Sequence, residues 1–374
     1  MLRFFEEHQR GGLAKVTKKL ITTIAVLAVL LTALSVVFAQ DPEIEDVCLV
    51  TDVGKVDDGT FNEFAYQGMI AAAEDFDLEN DYIETIAPTD YEPNIQRCID
   101  SGYDAVITVG FLLQDATLAA AEANPDVYFI GIDQGYEAAP ENLVAVQFRE
   151  DQSGFVAGAL AALMTETDYV AGVYGIDVPA VVKFRNGFEQ GAKYINPDIQ
   201  VGGVYVPSFV DPAAGAETAA QFIGDGADVI FGAGGQTGSG AIAYAASEGV
   251  YVIGVDQDEY FSTFEGDSDA PAPGIENLIS SAVKRVDQGV YLSLQALVEG
   301  DVEAFGGGST RVLSAENEGV GFAPAHDAEV PEEVTAQLEE ILAGLADGTI
   351  ETGVDPVSGA LLDDMMEATE EASS

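Results

Sequence analysis

The sequence predicts an α/β protein of two lobes, each a parallel sheet flanked by helices, hinged around a cleft. Three observations carry that expectation. Short apolar runs recur at 46–51, 82–87, 105–110, 127–132, 170–175, 201–206, 228–233 and 250–255. Alanine-rich stretches with helical spacing lie between them, as at 62–76, 114–123, 152–165 and 238–247, and strand, helix, strand at this rhythm means parallel pairing through crossover helices. Second, residues 104–134 (DAVITVGFLLQDATLAAAEANPDVYFIGIDQ) and 228–257 (DVIFGAGGQTGSGAIAYAASEGVYVIGVDQ) repeat one strand–turn–helix–strand unit, each ending Gly-Ile/Val-Asp-Gln. Third, a chain of 374 residues has room for two cores, whereas eight strands are many for one sheet.

Along the chain, the first segment is a different polymer. Arg3, Arg10, Lys15, Lys18 and Lys19 precede an apolar run from Leu20 to Phe38, and Val37-Phe38-Ala39 offers a cleavage site. Residues 1–39 therefore read as an export signal. The run of about 19 residues is also barely long enough to span a bilayer, so a retained membrane anchor is the alternative. Either way the remainder is expected outside the cytoplasm.

That remainder holds nine basic residues against 63 acidic ones, and the whole chain carries a formal net charge of −51. A phosphate backbone would be repelled, so nucleic acid is not an expected partner. Such a surface suits high salt, where screening removes the mutual repulsion of carboxylates, or simply a soluble acidic protein. Histidine chemistry is nearly excluded, since only His8 and His326 exist and His8 lies in the export segment. The two cysteines, Cys48 in an apolar strand and Cys98 in a helical stretch, read as buried free thiols, although export would permit a disulfide.

Three of the predicted strands finish on aspartate: Asp52 after CLVT, Asp133 after YFIGI and Asp256 after YVIGV. Ligands of open α/β sheets bind beyond the carboxyl ends of strands, and a carboxylate there accepts hydroxyl or ring N–H donors. Each could instead cap the turn that follows. The segment 52–69 (DVGKVDDGTFNEFAYQGM) is the most specific: Gly54 and Gly59 permit close backbone approach, Thr60 or Asn62 can begin a helix, and Phe61 sets an aromatic face beside an amide. As a purely structural element Phe61 would staple the helix. Near the end, 329–346 (EVPEEVTAQLEEILAGLA) reads as a helix opened by Pro331, and 356–374 as an acidic, disordered tail.

The segment around Asp52 resembles the opening motif of the basic membrane protein family of ABC-transporter substrate-binding proteins, whose studied members include a purine nucleoside receptor. Asp52, Gly54, Asp57, Asp58, Phe61 and Asn62 match that motif, with Thr60 in place of Ser. Similarity continues through GIDQG (131–135), VVKFRNGFEQGAKY (181–194), FGAGGQTGSG (231–240), GVDQD (254–258), SSAVKRVDQGVY (280–291) and EGVGFAP (318–324), covering about residues 45–355. The resemblance implies a periplasmic-binding-protein type I fold, with lobe 1 over 45–148 and 274–308 and lobe 2 over 149–273 and 309–355. It implies that Phe61 and Phe184 sandwich a base, that Asn62, Asp52 and Asp133 bond the base edge, and that Gly234, Asp256 and Lys284 hold the ribose. Read without the family, Lys284 could be a surface ion pair beside Asp287, and Phe184 could be helix core. The family's lipid-modified cysteine has no counterpart at Ala39-Gln40-Asp41, and the family's basicity is reversed.

The expected function is thus an exported, non-enzymatic, monomeric receptor that closes on a nucleoside, purine favoured, and presents it to an ABC permease, with no cofactor and no metal. A riboflavin or other planar-ring receptor, or a sensory receptor of the same fold, is the alternative. A glycosidase using paired carboxylates, which Asp52, Asp133 and Asp256 could supply, is more distant, because no nucleophile or acid of raised pKa is evident. The acidic runs at 256–259 and 266–269 lack calcium-loop spacing, and the glycine-rich 231–240 lacks the P-loop lysine.

Overall fold

The computed structural model describes residues 44–366. The expected export segment 1–39 lies outside them. β1 (Asp46–Val53), α1 (Phe61–Phe76), β2 (Glu79–Thr85), α2 (Tyr91–Ser101), β3 (Ala105–Val109), α3 (Gln114–Ala123), β4 (Tyr128–Ile132) and β5 (Leu143–Phe148) begin lobe 1. Lobe 2 follows with α4 (Glu150–Met164), β6 (Tyr169–Tyr174), α5 (Pro179–Ile195), β7 (Gln200–Tyr205), α6 (Pro212–Gly224), β8 (Val229–Ala233), α7 (Gly235–Ser247), β9 (Tyr251–Asp256) and β10 (Leu278–Lys284). The chain returns to lobe 1 for α8 (Val286–Val298), α9 (Val302–Phe305) and β11 (Thr310–Leu313), then ends in lobe 2 with β12 (Val320–Phe322) and α10 (Glu332–Asp347).

Each lobe holds a six-stranded sheet, ordered β2-β1-β3-β4-β5-β11 and β7-β6-β8-β9-β10-β12. All pairs are parallel except β10 with β12. The two repeated units are β3–α3–β4 and β8–α7–β9, at equivalent places in the two sheets. β3 (AVITV) and β8 (VIFGA) are buried at every position, as strands covered on both faces must be. The edge strand β2 (ENDYIET) is mostly exposed and acidic, which discourages pairing with another chain.

The chain crosses between lobes three times, at Arg149, at Arg285 and between β11 and β12. The lobe boundaries expected from the sequence therefore shift. Residues 278–284 pair with β9 and belong to lobe 2, whereas 310–313 pair with β5 and belong to lobe 1. The first two crossings share a device. Arg149 grips Asp151 through two bonds of 2.8 and 2.7 Å, and Arg285 grips Asp287 through two of 2.8 Å. Each planar guanidinium thereby fixes the first turn of the helix after its crossing.

Two further expectations are corrected. Cys48 and Cys98 are not free: β1 and α2 bring their Cα atoms to 5.8 Å and they form a disulfide. Closing a loop of 50 residues stabilises the fold by about 4 kcal/mol on the chain-entropy account. The tail is also docked beyond residue 356. Val354 pairs with Leu361, and Asn186 Nδ2 donates to the Gly359 carbonyl at 2.6 Å; residues 367–374 lie outside the described residues.

α4 and α5 pack backbone to backbone beneath the lobe 2 core. A Cβ on Gly154 or Gly158 would strike the carbonyls of Phe184 or Phe188, and one on Gly187 or Gly191 those of Asp151 or Phe155. Among the described residues, no helix is long and apolar enough to cross a membrane.

Candidate ligand-binding site

A cavity lined by both apolar and charged side chains lies between the lobes at the carboxyl ends of both sheets, where small-molecule sites of α/β folds form. All eight residues singled out in the sequence line it. Lobe 1 supplies Asp52 from β1, Phe61 and Asn62 from the first turn of α1, and Asp133 after β4. Lobe 2 supplies Phe184 from α5, Gly234 after β8, Asp256 from β9 and Lys284 from β10.

The repeat explains the carboxylates. Asp133 and Asp256 end equivalent strands with φ of 60° and 65°, a left-handed kink that few residues other than Gly, Asn and Asp adopt readily. Asp52 is held differently: the Tyr91 hydroxyl donates to its Oδ1, and so does the Val53 amide at 2.6 Å. Gly110, with φ 106°, leaves room for its other oxygen, since a Cβ there would fall 2.7 Å from Asp52 Oδ2. Gly234 is small for a backbone reason, because its Cβ would fall 2.1 Å from the Gly175 nitrogen.

The first turn of α1 departs from simple capping. Asp58, not Thr60 or Asn62, accepts from the helix-start amides of Thr60 and Glu63, at 2.9 and 3.2 Å. Asn62 accepts from the Asp52 amide at 3.1 Å and donates to Asp58 at 3.0 Å, leaving one amide proton for a ligand. Thr60 Oγ1 is buried in the cavity wall without a partner.

Lys284 is the cavity's cation. Its Nζ lies 2.5 Å from Asp133 Oδ2 and 2.9 Å from Glu150 Oε1, and 4.9 Å from the centre of the Phe61 ring and 6.0 Å from that of Phe184. It is buried, so the surface-pair alternative fails. Phe184 both lines the cavity and packs against Phe231, so its two readings are compatible. Burial disfavours the Lys284 charge, but Asp133, Glu150 and Asp256 outweigh it and raise its pKa. Burial likewise lifts Asp256 to about 7 and Asp52 to about 6, against the pull of Lys284 and of Tyr91 respectively. No hydrogen bond from the described residues reaches the Asp256 carboxylate.

Sequence reasoning missed Tyr91, Glu150 and Lys183. Lys183 carried a usable signal, being one of only nine basic residues after residue 39. Tyr91 and Glu150 carried none.

A family model described as ABC transporter substrate-binding protein PnrA-like, Bmp, matches residues 46–346. The chain belongs to the Bmp family. Basic membrane protein A1 of Borrelia garinii subsp. bavariensis, a Bmp relative, is 34% identical over 256 residues, which cover 67% of this chain and 72% of that protein. The ABC transporter nucleoside-binding protein BmpA of Lactococcus lactis subsp. cremoris is 32% identical over 225 residues, 57% of this chain and 64% of that protein. A solved ABC solute-binding protein from Aeropyrum pernix superposes with a TM-score of 0.70 at 24% identity, covering 82% of this chain and 92% of that one. The Bmp chain thus has the periplasmic-binding type I fold. It is an ABC transporter substrate-binding protein and not an enzyme, so the glycosidase reading of its carboxylates is set aside.

Proposed function

We propose that this protein is the extracytoplasmic nucleoside receptor of an ABC importer, purines favoured, and that it works as a monomer beside a membrane permease. One observation carries the reading: phenyl rings from opposite lobes share a cavity with three strand-end carboxylates and a lysine already neutralised by acids. A planar apolar base suits the rings, and a hydroxyl-rich ribose suits the carboxylates, whereas an anionic ligand suits neither. The name of the Lactococcus relative supports the same ligand class.

Closure is the working step. Ligand contacts on both lobes favour the closed arrangement, which the permease then distinguishes from the open one. Gln257 of lobe 2 already donates to the Gly59 carbonyl of lobe 1 at 2.6 Å, a contact that closure makes and opening breaks. Residues 1–39 would export the chain or tether it.

Calorimetric titration of the full chain, in low and high salt, with inosine, guanosine, adenosine, uridine, riboflavin and ribose tests this. A purine nucleoside should bind at micromolar affinity or tighter, and Phe61→Ala or Asp256→Ala should weaken it at least tenfold. Binding of riboflavin alone would change the ligand; a folded protein that binds none of them would end the nucleoside reading.

A further inference from the structure

Outside the ligand cavity, the least expected charges in the molecule are Glu150 and Lys183. Neither lines that cavity, yet both are buried, Glu150 wholly so. Lys183 Nζ lies 2.5 Å from Glu150 Oε2 and donates to the Phe148 carbonyl at 2.8 Å. With Lys284 and Asp133 they form one chain, Asp133–Lys284–Glu150–Lys183, running from the cavity into the crossing between lobes.

The duplicated crossings show that the fold does not need this carboxylate. Phe148-Arg149-Glu150-Asp151-Gln152 and Lys284-Arg285-Val286-Asp287-Gln288 correspond place by place, down to the Arg–Asp grip. Where one has Glu150 the other has Val286, and both are 0% exposed. An apolar side chain therefore satisfies that place in the packing. A carboxylate there loses its hydration, at a cost of several kcal/mol unless it is paired, and its pairing is with Lys284 and Lys183.

We propose that Glu150 and Lys183 are positioning residues of the ligand site: they hold the Lys284 ammonium against Asp133 and away from Asp256, keeping the Asp256 carboxylate free for ligand. Two carboxylates, Asp133 and Glu150, grip Lys284. Lys183 balances Glu150, so the four-residue chain is neutral and Lys284 gains nothing by moving. Without Glu150, Lys284 would keep one partner and turn to Asp256, the other carboxylate that already acts on it.

The test replaces the pair by apolar residues, Glu150→Val with Lys183→Met, which copies the second crossing and removes both charges together. The affinity arm rests on the nucleoside reading: inosine or guanosine should bind at least tenfold more weakly. The second arm needs no ligand. At pH 8 Asp256→Asn should raise the melting temperature of the parent chain, where it removes a lone buried carboxylate. In the double variant it should lower it, because Lys284 loses its new partner. If the double variant does not fold, Glu150→Gln keeps the shape and should change the Asp256→Asn effect in the same direction. An unchanged affinity with the same Asp256→Asn effect in both backgrounds overturns the proposal. A parent chain that binds no nucleoside but shows the reversal sinks the ligand reading alone.

Discussion

Asp256 ends its strand with its carboxylate buried and no donor from the described residues to share the charge, so burial lifts its pKa to about 7. The consequence for stability has a definite sign. A carboxyl group whose folded pKa exceeds its unfolded one binds its proton more tightly when folded. Its contribution is complete below about pH 4 and is lost as pH rises through about 7. Glu259, also buried and lifted to about 7, adds to that decline. Glu150 works oppositely: Lys183 and Lys284 overcome its burial and hold it below the ordinary range, so its contribution is present above about pH 4.5 and lost in acid. Asp256→Asn should therefore leave ligand-free stability nearly unchanged at pH 4 and raise it at pH 8, by about 1 kcal/mol or more. Denaturant melts at the two pH values read this directly, and an equal effect at both would contradict it.

At the scale of elements, the contact between α4 and α5 leaves no space for a methyl group. A Cβ on Gly191 would sit 1.9 Å from the Phe155 carbonyl oxygen, backbone that cannot swing aside. Gly191→Ala should destabilise lobe 2 by about 1–3 kcal/mol, the usual cost of overpacking, in equilibrium unfolding. Helix and strand existence was largely legible because each βα unit announces itself by an apolar run and an alanine-rich stretch. What escaped were the strands at the crossings. β10 reads LISSAVK, with two serines whose hydroxyls bond the Ala323 carbonyl and the Glu259 amide beyond the neighbouring strands, and β11 and β12 have only four and three residues. β5 follows β4 without an intervening helix, so the rhythm that exposed the others broke there. The disulfide was equally hidden, since pairing depends on how α2 lies on the sheet and not on spacing.

Across the whole molecule the dominant fact is charge. Most of the nine basic residues after residue 39 are already committed: six form ion pairs with acids, and Arg311 bonds backbone carbonyls. Most of the remaining carboxylates reach solvent. Salt shortens the range of their mutual repulsion from about 10 Å at 0.1 M to about 3 Å at 1 M. The melting temperature should rise steadily from 0.1 M to molar KCl, and a flat profile would mean that the acids serve solubility alone. The residues of the candidate site were the part of the sequence that the fold most plainly brings together. The eight residues lie in distant parts of the sequence, yet all but Phe184, which sits in the second turn of α5 and was named from the resemblance, stand at a strand end or first helical turn, where a doubly wound fold gathers side chains. The supporting residues Tyr91 and Glu150 were not legible, because their partners are set only by tertiary packing.

The triple crossing also fixes an order in time. As the chain emerges from the ribosome, β5 is an edge without its neighbour until β11 has been made, and α1 waits for α8 to cover it. Lobe 2 in turn lacks its outer strand until β12 follows. Neither half can be completed as a contiguous piece, so the contacts that finish each sheet must form late and over long separations. A fragment ending at residue 273 should remain protease-sensitive, while the same chain extended past β12 and α10 should not.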